Sequence, residues 1–273
     1  MSDFRIDQIT NQAGTAGPDI AGITTFSGSS GLLMPRGDTF RRSVIEDVVE
    51  EGLVLYLDAG NDVSYPGSGN KWFDLSNNGN TGTLVNGVGY SASNGGSLSF
   101  DGSDEYVQTI NNVNISGDFS ATLSVWVKFI ELSTGFRCIC MFGSVGTMEG
   151  FSIFSNIPAY GSGSIAIGFY GNNNAYISSI VTTNTWYNLT ATKTPGAVSS
   201  SNTKLYINDI LQTLVFDTSL TPNATNAVAY IGNDPANEVS NNMNVSNCSI
   251  YNRALTAAEI SQNYNALKGR YGL

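Results

Sequence analysis

The 273 residues carry 12 basic against 22 acidic side chains and no histidine, and the net charge of -10 excludes the Lys/Arg surface that a nucleic acid or an anionic membrane would need. Apolar residues make up 41% and aromatic residues 11%, enough for a substantial core, so the chain is not a disordered one. Only 12% of residues are charged, which leaves amides and hydroxyls to keep the surface wet.

The first element is a stretch that cannot fold alone. "RIDQITNQAGTAGPDIAGITTFSGSSGLLMPRGD", Arg5 to Asp38, is rich in Gly, Thr and Ser, with apolar residues in ones and twos until Leu32, Leu33 and Met34. The start lacks a basic segment followed by an apolar run, so the expectation is synthesis in a cytoplasm without a signal peptide. No stretch approaches the length of a membrane span, so no membrane insertion is expected. "TFRRSVIEDVVEEG" follows: Val44, Ile45, Val48 and Val49 suit a helical face or a strand, and the simplest reading is a solvated linker whose Arg41 and Arg42 can meet an acidic partner. Residues 1–51 are thus assigned to an extended arm and linker, and 52–273 to one domain.

From Gly52 the texture changes. "GLVLYLDAG" packs Leu53, Val54, Leu55, Tyr56 and Leu57 into a buried strand ended by a turn. Further strand candidates follow: "GSLSF", "EYVQTI", "ATLSVWVKFI", "RCICMFG", "GFSIFS", "SIAIGFYG", "AYISSIV", "TWYNLTATK", "TKLYIND", "LQTLVF", "VAYIGN" and "VSNCSIYN". Short strands at close spacing, punctuated by Gly, Asn and Asp, predict an antiparallel all-β sandwich. In "LSVWVKF", Leu123, Val125, Val127 and Phe129 form one face against Ser124, Trp126 and Lys128 on the other. "TKLYIND" and "LQTLVF" read as a hairpin turning at Asn208 and Asp209. Cys138 and Cys140, at period two, are expected on one strand face as buried small hydrophobes, and with Cys248 they make an odd, sparse set that is no disulfide framework. A short helix ends the chain: Thr256 and Glu259 form a capping box, Ile260, Tyr264 and Leu267 share a face, and Gly269 is placed to close it.

These motifs, from "YLDAG" through "WFDLSNNGNTGTL", "LSFDGSDEYV", "TLSVWVKF" and "TKLYIND" to "IYNRALTAAEISQNYNA", resemble a laminin-G-like, concanavalin-A-like jelly-roll domain over residues 52–273. Such sandwiches host lectins, adhesion modules and glycan hydrolases alike, so the resemblance implies a fold more sharply than a function. The leading segment resembles that of virion structural proteins of tailed phages, notably marine ones, where it precedes varied C-terminal domains. That resemblance implies a docking arm, with Ile6, Ile9, Ile20, Ile23, Phe26, Leu32, Leu33 and Met34 buried against other virion proteins.

Without histidine there is no Ser-His-Asp or Cys-His machinery, and catalysis would fall to two facing carboxylates. The E-x-D-x-x-E string of the hydrolases that the domain resembles does not occur; Glu131 and Glu149 stand alone in their segments. The chain is therefore expected to be non-enzymatic. Asp58 and Asp62 after the first strand, with Asp101 and Asp104 in "FDGSDEY", are candidate Ca²⁺ ligands if the two turns meet at one rim; turn chemistry accounts for them equally. Tyr65, Trp72, Tyr160, Tyr170 and Tyr176, in loops beside amides, are candidate glycan-binding aromatics, while Trp126 and Trp186 sit in strand patterns and are expected in the core. The reading is a virion fibre, decoration or appendage protein presenting a lectin-like jelly roll for host-surface glycan adhesion. It is expected to be a homo-oligomer, with a trimer as the guess. The alternatives are a stand-alone carbohydrate-binding lectin and, further off, a glycan hydrolase.

Overall fold

Strand periodicity resolves into two antiparallel sheets laid face to face, with a helix over one of them. The structure is a computed structural model describing residues 48–273, except 133–134, 136, 157–158, 172 and 234–240. In chain order the strands are β1 (Leu53–Asp58), β2 (Lys71–Trp72), β3 (Gly82–Val85), β4 (Gly89–Ser91), β5 (Ser97–Asp101), β6 (Tyr106–Thr109), β7 (Ala121–Phe129), β8 (Arg137–Gly143) and β9 (Gly150–Ser155). They continue as β10 (Ile165–Gly168), β11 (Asn174–Ile177), β12 (Trp186–Lys193), β13 (Thr203–Ile207), β14 (Ile210–Leu211), β15 (Val215–Phe216), β16 (Ala229–Ile231) and β17 (Asn242–Tyr251), before α1 (Ala257–Leu267). One sheet runs β14-β13-β12-β7-β17-β5-β4 with β1 also on β17; the other runs β15-β11-β10-β9-β8-β16-β6-β3-β2.

The alternation in β7 is borne out. Leu123, Val125, Val127 and Phe129 enter the core between the sheets, where Phe119, Phe142 and Phe151 pack edge to face or tilted within 5.3–5.7 Å of one another. The opposite face of β7 is also buried, because α1 lies over it. Trp126 stacks between Tyr264 at 5.5 Å and Tyr271 at 4.1 Å, and Trp186 packs on Tyr271 at 4.8 Å. Both tryptophans are buried, but under the helix and not between the sheets.

The helix starts as its sequence requires. The Thr256 hydroxyl accepts from Glu259 N–H while the Glu259 carboxylate accepts from Thr256 N–H, and Arg253 holds the same carboxylate at 2.6 Å. Its end differs from expectation. Gly269 does not close it: the chain tightens into a 3₁₀ turn over Lys268–Tyr271 and the left-handed residue is Gly272. The extra turn carries Tyr271 onto Trp126. Val48 and Val49, assigned to the linker, pack against Leu53, Tyr251 and Ile260, and Val49 N–H donates to Asn263 Oδ1 at 2.8 Å. Packing of the domain is therefore under way by residue 48, ahead of Gly52.

Two further expectations are corrected. Asn208 and Asp209 do make a hairpin turn, both with positive φ, but only Ile210 and Leu211 return along β13. Val215 and Phe216 pair with β11 in the other sheet, so "LQTLVF" crosses between sheets. Cys138 and Cys140 do not share a face: a bulge in β8 opposite β9 leaves Ile139 unpaired, so Cys138 lies on the outer face beside Met141 while Cys140 enters the core with Cys248. All three are buried free thiols, and burial pushes that of Cys140 well up.

Candidate functional site

The jelly roll offers two outer sheet faces, and one is occupied. α1 and the 3₁₀ turn seal the face of the first sheet. On the second sheet the registers align one rung across eight strands: Asn174, Gly168, Ser152, Met141, Tyr230, Gln108, Thr83 and Lys71. The neighbouring rung brings Tyr176 beside Ala166, Phe154 and Cys138.

Aromatic rings gather on this face. Tyr160 and Tyr176 stack with centroids 3.5 Å apart, and the Tyr160 hydroxyl donates to Asp217 and accepts from Asn174 Nδ2 at 3.3 Å. Burial holds the Asp217 carboxyl above the usual carboxylate range, consistent with its place against that ring pair. Tyr170 packs edge-on to Phe154 at 5.6 Å, and its hydroxyl lies 2.7 Å from Met141 Sδ. Tyr230 meets Tyr106 at 6.2 Å, and burial with that neighbour raises the Tyr230 phenol. All five tyrosines are partly exposed, so the rings are anchored at one edge and open at the other.

The candidate aromatics thus divide. Tyr160, Tyr170 and Tyr176 come together on one face, joined by Tyr106 and Tyr230, which sequence reading passed over because they lie inside strand patterns. Their signal was the period-two placement opposite core residues: Val107 and Ile231 point inward, so Tyr106 and Tyr230 point outward. Tyr65 and Trp72 belong elsewhere. Tyr65 is buried, donates to the Gly69 carbonyl at 3.0 Å and packs on Tyr90, and Trp72 is wholly buried in the core.

"WFDLSNNGNTGTL" has a structural logic. The Asp74 carboxylate accepts from Tyr56 N–H, Ser76 N–H, Ser76 Oγ–H and Asn80 N–H at 2.8–3.0 Å, winding residues 74–80 around itself. Gly82 is required because a Cβ there would stand 2.6 Å from Val107 Cγ1.

The four candidate calcium ligands do not converge. Asp58 is 1% exposed, and its Oδ1 accepts from Gly60 N–H and from Arg270 Nη1, each at 2.8 Å. Asp101 is exposed, caps Ser103 N–H at 2.9 Å, and is held below the usual carboxylate range by a hydrogen bond with the Glu105 carboxyl. Asp58 pairs with Asn247 and Asp101 with Asn242 along the same edge of β17, a separation of roughly 16 Å at about 3.3 Å per residue. Asp104 accepts from Asn86 Nδ2 at 3.0 Å, and Asp62 is exposed. Among the described residues no three His, Cys, Asp or Glu side chains are grouped to hold a metal, and the carboxylate set does not fit calcium. The arm residues Ile6, Ile9, Ile20, Ile23, Phe26, Leu32, Leu33 and Met34 lie outside the described residues.

Two antiparallel sheets laid face to face, one of them covered by a helix, define a concanavalin-A-like sandwich. The chain belongs to the concanavalin A-like lectin/glucanases superfamily, whose laminin-G-like family model matches residues 100–261. A search of curated protein sequences gave no match. Among solved structures it is similar to the binding domain of Paraclostridial Mosquitocidal Protein 1 (17% identity, TM-score 0.58) and to the receptor binding domain of botulinum neurotoxin C/D mosaic serotype (16%, 0.56). For both, the match covers 80% of this chain and 52% of the other. It is also similar to Trypanosoma rangeli sialidase (17%, 0.56), covering 80% of this chain and 33% of that one. The chain thus spans a third to a half of these structures, and at such identities the likeness is one of fold.

Proposed function

We propose that the chain is a non-enzymatic glycan-binding protein whose contact surface is the tyrosine-bearing outer face of the second sheet. The observation that carries this is the set of five partly exposed tyrosines, Tyr106, Tyr160, Tyr170, Tyr176 and Tyr230, beside the half-buried amide of Gln108. Ring faces supply apolar contact for the C–H faces of a sugar, and amides and hydroxyls supply direction. That the similar sandwiches include a receptor binding domain of a neurotoxin and a binding domain of a mosquitocidal protein supports a binding role for a sandwich of this kind. The sequence lacks the E-x-D-x-x-E string of the hydrolases that the domain resembles, which favours binding over hydrolysis.

A glycan array probed with the full chain and with Tyr176→Ala tests this. Binding to at least one glycan class, reduced tenfold or more by the substitution, is the expected result. Absence of binding across the array, or release of reducing ends from a bound glycan, overturns it.

The resemblance of Arg5 to Asp38 to tailed-phage virion proteins supports presentation of this face on a virion, as a fibre, decoration or appendage, with the arm as the anchor. Mass spectrometry of purified particles is expected to find the chain at fixed stoichiometry, in a multiple of three if the appendage is trimeric, and to lose it when residues 1–38 are deleted. Wild-type loading of the truncated chain excludes docking by the arm.

A further inference from the structure

A second cleft lies apart from the tyrosine face, at the end of the second sheet where β6 leaves and β3 begins. It measures about 540 Å³ and is lined by Asn78, Asn80, Asn111, Asn112, Asn114 and Ile110. That volume falls in the range of small-molecule sites.

The amides share one orientation. Asn78 Nδ2 donates to the Leu53 carbonyl at 3.0 Å, Asn80 Nδ2 to Val54 at 2.7 Å, Asn111 Nδ2 to Gly79 at 2.9 Å and Asn112 Nδ2 to Asn226 at 3.3 Å. A carbonyl can only face a donor, so these bonds fix which end of each amide turns inward. The nitrogen and oxygen of an amide diverge from one carbon, so the four Oδ1 atoms are turned away from those carbonyls; none accepts a hydrogen bond from a donor among the described residues. Asn80 is the telling member: it is 4% exposed, lines the cleft, and keeps its Oδ1 unpartnered. Asn114 adds the complementary group, since its Oδ1 accepts from Asn226 while its Nδ2 makes no bond among the described residues. The Asp74-centred loop and the left-handed Gly79 hold this wall in place.

The residues lining the cleft thus leave four amide oxygens and one amide nitrogen without partners among the described residues, beside an apolar wall, Ile110, which is 56% exposed. Its lining holds no carboxylate, which disfavours a divalent cation. Hydroxyl groups supply the donors that the oxygens lack, and a pyranose C–H face matches Ile110. We propose that this cleft is a binding site for a neutral saccharide, separate from the tyrosine face and standing whether or not that face binds glycans.

The test is an ¹⁵N titration of the full chain, following side-chain NH₂ resonances, with lactose, maltotriose, cellotriose and chitotriose as probes. Saturable shifts of the Asn80 and Asn111 amides with at least one probe are expected, weakened tenfold or more by Ile110→Ala and by Asn112→Ala, and unchanged by Tyr176→Ala. Ile110→Ala alters an exposed side chain, and an unchanged thermal melt shows that the fold is kept. No shift with any probe, shifts with calcium chloride alone, or full binding by Ile110→Ala each overturn the assignment. Loss of the Asn80 shifts in Tyr176→Ala overturns the separateness of the two sites.

Discussion

Trp126→Ala measures how much the C-terminal cover contributes to the sandwich. The ring is 1% exposed, on the outer face of β7, stacked between Tyr264 and Tyr271 and clustered with Trp186 and Leu267. A buried tryptophan removes about 200 Å² from water, worth on the order of 5 kcal/mol at about 25 cal/mol per Å², with each stacked pair adding roughly 1 kcal/mol. Relaxation of the helix into the space left behind offsets part of this, so the expected loss is about 3–5 kcal/mol. For a domain of this size that lowers the melting temperature by roughly 6–20 °C, followed by far-ultraviolet circular dichroism. Trp126→Phe keeps one ring in the stack and is expected to lose less than half as much. A drop of only about 2 °C for the alanine variant would show that α1 contributes little and would refute the account of this face as a second core.

Arg270→Met leaves the buried Asp58 carboxylate without its cation and is expected to destabilise by about 3 kcal/mol or more, with Asp58→Asn in the same chain recovering part of the loss in a denaturant titration. The Glu259 carboxyl is held at about 2, first by the Arg253 guanidinium and then by Thr256 N–H. Its folded pKa is depressed, so its contribution is complete above the unfolded value of about 4.3 and is lost as the pH falls through 2. Melting temperatures recorded between those limits should fall less steeply for Arg253→Gln; equal slopes would contradict the assignment. Chelator and millimolar calcium are expected to give melts within about 1 °C of each other, because Asp58 is paired with Arg270 and Asp101 lies far along β17.

Local chemistry was legible in the sequence. Alternation in β7, the Asn208–Asp209 turn and the Thr256–Glu259 box each depend on neighbours a few residues away, and each stands as read. Periodicity tells which side chains share a face; it does not tell what covers that face. So Trp126 read as core and proved to be core of another kind, and Tyr106 and Tyr230 read as strand residues and proved to join Tyr160, Tyr170 and Tyr176. One unpaired residue in β8 reversed the relation between Cys138 and Cys140, which no local pattern announces. The partner of Asp58 lies 212 positions away in the last turn of the chain, and the amides of Asn78 and Asn80 are oriented by carbonyls of a strand that the sequence places well before them. Strand order and register decide such meetings, because they bring distant segments within bonding distance; composition alone supplied the tyrosines and asparagines, and tertiary structure decided which of them face water together.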